Sequence, residues 1–86
     1  MRIQTDRNAL QQKADELNLR AWNARVSDSA LSYNLSKEAI ALSEKINYTI
    51  GKAQGYRTLG FCNIRLSKHD EAMPLLQEAE KLLGEE

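Results

Sequence analysis

Proline is almost missing from this 86-residue chain: a single one accompanies only four glycines, one tryptophan, one phenylalanine and three tyrosines. So few chain breakers, with few β-branched residues, exclude a strand-rich and turn-rich domain and leave an all-α one. One cysteine, Cys62, excludes an internal disulfide, and one histidine, His69, leaves no Cys/His cluster for a metal. Neither charge is in excess, because twelve basic residues meet twelve acidic ones. The resulting pI of about 6.6 supplies no basic footprint for nucleic acid or an anionic membrane. No apolar run approaches the ~18 residues of a membrane span, and "MRIQTDRNALQQKADEL" lacks the apolar stretch of a signal peptide. These absences predict a soluble, cytoplasmic chain in a reducing compartment, either one small domain or part of a longer protein.

What the chain does contain is helical periodicity. Leu10, Ala14, Leu17, Ala21 and Ala24 recur every third or fourth residue among polar ones, which predicts an amphipathic helix starting near Thr5 or Asp6. "VSDS" breaks the pattern and offers Ser27 or Asp28 as the next N-cap. A second helix is expected from about Ser29 to Ile46. Leu31, Leu35, Ala39, Leu42 and Ile46 form its stripe, with Ser32, Ser36 and Ser43 as small neighbours. "NYTIG" ends it, and Thr49 is the expected cap of a third helix carrying Ala53, Tyr56, Leu59, Gly60, Ile64 and Leu66. After "LSKHDEAMP", Asp70 is the expected cap of a fourth. Pro74 then falls at the edge of the first turn, where at most one backbone hydrogen bond is lost. Ala72, Leu75, Leu76, Ala79, Leu82 and Leu83 form its stripe, and Gly84 is a suitable stop.

The helices repeat in pairs. One shift lays Ala14 on Ala53, Leu17 on Tyr56, Ala21 on Gly60 and Trp22 on Phe61. A shift one residue longer lays Leu35 on Leu75, Ala39 on Ala79 and "KEAIAL" on "QEAEKL", so the difference belongs in the first inter-helix turn. Tyr56-x2-Leu59-Gly60, followed by Ala72-x3-Leu76 and Ala79, resembles the tetratricopeptide repeat. The resemblance covers Ala53–Gly84 well and Leu10–Ile46 in degenerate form, with Ser32 replacing the first alanine. Asn63, Leu76 and Gly84 depart from the family's two later aromatics and closing proline. Repeats of this family run about 34 residues. Here the spacing is about 40, attributed to "KINYTIGKAQG" at the junction, as in the sensory arrays of bacterial signalling proteins.

The resemblance implies two antiparallel helix-turn-helix repeats, residues 5–46 and 49–84, stacked as a short right-handed solenoid. It also gives Gly60 a purpose. Glycine inside a helix costs about 1 kcal/mol relative to alanine, and here it would let helix three approach helix four at Ala72. Ala21 and Ser32 are the first-repeat counterparts, within a packing signature of Ala21, Ser32, Ala39, Tyr56, Leu59, Gly60, Ala72, Leu76 and Ala79. A helix that kinks or ends at Gly60 is the competing reading.

In this family the first helix of each repeat lines a groove for a protein or peptide. The implied groove positions are Gln54, Arg57, Phe61, Ile64 and Arg65, matched by Asp15, Asn18, Trp22 and Arg25. Trp22 and Phe61 then serve either as groove anchors or as packing between helices. The family's carboxylate-binding variant needs Lys and Asn at set sites, where this chain has Phe61 and Arg57, so a C-terminal carboxylate is not expected. Cys62 and His69 read as a packed thiol and an exposed turn residue. No phosphate loop, nucleophile motif or acid pair points to catalysis or to a cofactor. The expected function is protein–protein recognition within a larger, regulatory protein. The alternatives are an oligomerisation bundle self-associating through Leu75, Leu76, Leu82 and Leu83, and a small enzyme or ligand-binding domain. Two repeats without a polar capping helix also suggest a fragment of a longer array or a protomer that dimerises.

Overall fold

The computed structural model describes residues 2–66 and 68–84, with the side chains of residues 7–66, 68 and 70–83. Four helices follow one another: α1 Arg2–Ala24, α2 Ser29–Lys45, α3 Thr49–Arg65 and α4 His69–Gly84. No strand occurs among the described residues. Each helix packs on the next, and α1 also touches α3, whereas α2 and α4 make no contact among the described residues. The result is a slab of 46 × 28 × 15 Å in which α3 has neighbours on three sides.

Local chemistry sets the boundaries. Asp28 is the N-cap of α2, its Oδ1 accepting from the backbone N–H of Leu31 at 3.1 Å. At the far end of α2, Asn47 takes φ 56°, a left-handed conformation asparagine tolerates. The N–H of Tyr48 then donates to the Ser43 carbonyl and that of Asn47 to Glu44, a glycine-style helix stop built on asparagine. Arg7 of α1 donates to the Ile46 carbonyl at 2.7 Å and satisfies another end group.

Several sequence expectations are corrected. The N-cap of α3 is Tyr48, which provides no side-chain cap, and Thr49 is already helical. Helix α4 begins at His69, so Asp70 lies in its first turn beside Glu71, where negative charge suits the positive helix end. Helix α1 begins at Arg2, ahead of Thr5 and Asp6. The α2–α3 link is only residues 46–48. The extra repeat length is therefore helical, in α2 and α3 of 17 residues each. The one-residue offset between the pairs lies in α3, which continues to Arg65, past Asn63, the residue matching Ala24. Four stripe residues are exposed: Leu31 in the first turn of α2, Ile64 in the last turn of α3, its C-cap Leu66, and Leu83 near the end of α4.

The core is made of small residues more than large ones. Ala14, Ala21, Ala39, Ala53 and Ala72 are fully buried, as are Ser32, Ser36 and Ser43. Ser32 lies where three helices meet. Its hydroxyl donates to the Ala21 carbonyl of α1 at 2.6 Å and accepts from the Cys62 thiol of α3 at 3.1 Å. Ser36 returns its hydroxyl to the Ser32 carbonyl. The hydroxyls of Ser32 and Ser36 are thereby satisfied while the helix axes stay close, whereas that of Ser43 has no hydrogen-bond partner among the described residues.

Helix α3 is tight on two sides. A Cβ added at Gly55 would lie 2.5 Å from Ile40 Cγ1, and one at Gly51 would collide with Ser43 Oγ and the Tyr48 ring. At Gly60 it would lie 2.8 Å from Leu76 Cγ and 3.4 Å from the Ala72 carbonyl oxygen. Gly51 and Gly60 stand about two and a half turns apart, on opposite sides of the helix. One glycine admits α2 and the other admits α4. Helix α3 passes through Gly60 without ending there.

Candidate functional site

Helices α1 and α3 run side by side in the same direction, with Asp15 beside Tyr48, Asn18 beside Gly51 and Trp22 beside Phe61. Their shared face carries most of the groove residues read from the sequence. The rings of Trp22 and Phe61 lie 6.2 Å apart at 59°, a tilted aromatic pair. Both are half-buried, so each packs against the other helix and keeps an outer edge in water.

Two guanidinium groups lie against this pair. The Arg25 Cζ is 3.8 Å from the Trp22 ring centre and 5.6 Å from that of Phe61. The Arg57 Cζ is 4.6 Å from the Trp22 ring. Arg25 also donates to the Trp22 carbonyl at 2.7 Å, fastening it over the last turn of α1. Arg57 is exposed and enters no salt bridge among the described residues. Stacked cations of this kind are held in place with their N–H edges still free to bond.

Beside Trp22 opens a groove of about 420 Å³ lined by Asp15, Asn18, Leu19, Trp22, Tyr48, Gln54 and Arg57. Asp15 accepts from the Tyr48 hydroxyl at 2.7 Å. That bond, together with partial burial and the carboxylate's charge, raises the Tyr48 phenol above its ordinary value. Asn18 donates through Nδ2 to the Gly51 carbonyl at 3.0 Å, and its buried Oδ1 has no hydrogen-bond partner. Leu19 is 61% exposed at the groove wall.

Leu19 and Tyr48 were not among the residues read from the sequence. Leu19 breaks the buried stripe of α1, and Tyr48 belongs to the turn before α3, so the repeat register reaches neither. Four residues read as groove do not line it: Arg25 and Phe61 lie against Trp22, and Ile64 and Arg65 are exposed in the last turn of α3 beyond Phe61. Of the packing residues, Ala21, Ser32, Ala39, Leu59, Gly60, Ala72 and Ala79 are buried, while Tyr56 and Leu76 are half-buried. Cys62 is buried against α2, and the side chain of His69 lies outside the described residues.

A second opening, lined by Ser43, Glu44, Asn47, Tyr48, Thr49 and Lys52, sits at the α2–α3 turn, where Lys52 pairs with Glu44 at 3.4 Å. Among the described residues no cluster of His, Cys, Asp and Glu could hold a metal ion, and no helix is long and apolar enough to cross a membrane. No family model matches the chain, and neither curated proteins nor solved structures compared with it give a match.

Proposed function

We propose that this chain is a protein-interaction module of the tetratricopeptide kind. In this reading α1–α2 and α3–α4 are two hairpins stacked as a short right-handed solenoid, and the α1/α3 face receives another protein or a peptide. The observation that carries the reading is the Trp22–Phe61 pair overlaid by Arg25 and Arg57 on that face. Aromatic and arginine side chains dominate the energetics of protein interfaces. Side chains already held by stacking lose little further freedom when a partner arrives. Recognition would then work by shape and side-chain chemistry, without a cofactor or a catalytic step. A regulatory place within a larger signalling protein is the setting the family resemblance suggests.

The test is selection of peptides from a random displayed library on the whole chain, followed by titration through Trp22 fluorescence, the chain's single tryptophan. Selected peptides are expected to change that emission and to lose at least roughly tenfold in affinity to Phe61→Ala. Peptides that bind Phe61→Ala as well as wild type would contradict the reading.

A second reading, self-association through α4, is favoured by Met73 and Leu83, which are 54% and 41% exposed on a helix that packs only on α3. Half-buried Leu75 and Leu82 belong to the same helix, and Leu76 faces Gly60. Sedimentation separates the two. Concentration-dependent dimers abolished by Leu83→Glu support assembly, and a monomer at all concentrations removes it.

A further inference from the structure

Helix α4 packs on α3 alone among the described helices, with Ala72 and Ala79 buried at that contact. Met73, Leu76, Glu80 and Leu83 recur at helical spacing on an adjoining face. Met73, Glu80 and Leu83 are exposed there, and Leu76 is half-buried. The shift that lays Ala39 on Ala79 also lays Ile40 on Glu80 and Ser43 on Leu83. On α2, Ile40 and Ser43 lie against Gly55 and Gly51 of α3. The face that receives a helix in the first pair is thus open in the second, and it carries an acid where its counterpart has isoleucine.

Charge identifies the occupant. Glu80 enters no salt bridge among the described residues, and α4 sets four carboxylates, Asp70, Glu71, Glu78 and Glu80, against the single amine of Lys81. A second copy does not answer this charge. Its α1, seated on α4 as α3 sits on α2, would bring Glu16, the counterpart of Gly55, against Glu80. Two α4 helices paired Met73 to Leu83 would bury each Glu80 on the other's Leu76, in a field of like charge.

We infer that this face of α4 receives an amphipathic helix of another protein, whose apolar stripe is interrupted by one lysine or arginine. The base pairs with Glu80, and apolar residues a turn to either side of it meet Leu76 and Leu83. The occupant is a helix because α4 offers a row of side chains and no free backbone edge for a strand. Unbranched Met73 adapts to the residue beyond. The other carboxylates of α4 draw in a basic partner and turn away an acidic one. This surface is separate from the α1/α3 face, so the inference goes beyond the function proposed above.

The experiment uses a library randomised along one exposed helix of a rigid helical scaffold. It is selected on the whole chain after depletion on Leu83→Glu, so that only binders needing the open stripe survive. The enriched helices are expected to carry Lys or Arg between apolar residues at helical spacing. Changing that base to Gln weakens binding to wild type by roughly tenfold to a hundredfold, and changes little on Glu80→Gln. Changing it to Glu abolishes binding to wild type, and Glu80→Arg restores it. Glu80 is exposed, and circular dichroism checks that both of its variants keep the helical fold. Enriched helices without a basic position, or whose affinity ignores Glu80→Gln, overturn the inference, as does failure to enrich any. None of these outcomes touches the α1/α3 reading, which Phe61→Ala tests separately. A concentration-dependent dimer lost on Leu83→Glu makes a second copy the occupant and also overturns it.

Discussion

At Gly60 the neighbouring helix is so close that an added methyl would meet Leu76 Cγ and Cδ2 at 2.8 Å. Leu76 is half-buried and can give way to one carbon, and alanine recovers about 1 kcal/mol of helix propensity. A branched side chain has no such escape, because the Ala72 carbonyl oxygen stands behind at 3.4 Å. Gly60→Leu is therefore expected to lower the unfolding free energy by about 1–3 kcal/mol in urea titrations, with Gly60→Ala near neutral. Equal stability of all three would contradict close approach there. Tyr48 gives a pH-dependent prediction. Its phenol is raised chiefly by the hydrogen bond to Asp15, so the contribution of that bond is complete below the ordinary phenol value of about 10 and is lost as pH rises through the higher folded value. The stability difference between wild type and Tyr48→Phe should shrink over that rise; a constant difference would contradict the bond. At this scale the sequence is legible only in part. Gly60 stands among large helical residues, where a packing role is the economical explanation. Gly51 and Gly55 follow "NYTI", where glycine reads as a turn, yet the left-handed stop is Asn47 and both glycines face α2 or its turn. Ser32 and Ser36, read as small neighbours of the α2 stripe, are buried, and helix carbonyls answer their hydroxyls.

Among the helices, α3 differs in kind. It touches the three others, and its buried positions are mostly small: Gly51, Ala53, Gly55, Gly60 and Cys62 are examples. No single apolar stripe can mark a helix covered on several sides, which is why its exposed Ile64 and Leu66 read as core in the sequence. Four helices and their breaks were legible because α1, α2 and α4 each bury one face and because "VSDS" and "LSKHDEAMP" interrupt the period. End residues were less so. Thr49 and Asp70 are good caps by type, but the turn through Asn47 delivers Tyr48 directly to the cap position, and α4 starts one residue before Asp70. Where the cap is made by a side chain it carries weight. Asp28→Ala should cost about 1 kcal/mol in thermal or urea unfolding, and Asp28→Ser should restore most of it. No cost would mean that the Leu31 N–H finds another acceptor.

For the whole molecule, two surfaces compete as the place of function. One is the α1/α3 face, where polar and aromatic groups converge on a groove. The other is the outer side of α4, where Met73 and Leu83 stand in water. The groove was legible as far as the repeat register carried it, through Asp15, Asn18, Trp22, Gln54 and Arg57. Its turn-borne wall, Tyr48, depends on how α2 hands over to α3 and has no periodic signature. The two faces predict different footprints for a bound partner. Backbone amide shifts recorded while a selected peptide is titrated to saturation will distinguish them. Perturbations are expected around Asn18, Leu19, Trp22, Gln54 and Arg57, leaving Met73 and Leu83 unmoved. Perturbations gathered on α4 with the groove silent would contradict the proposed function.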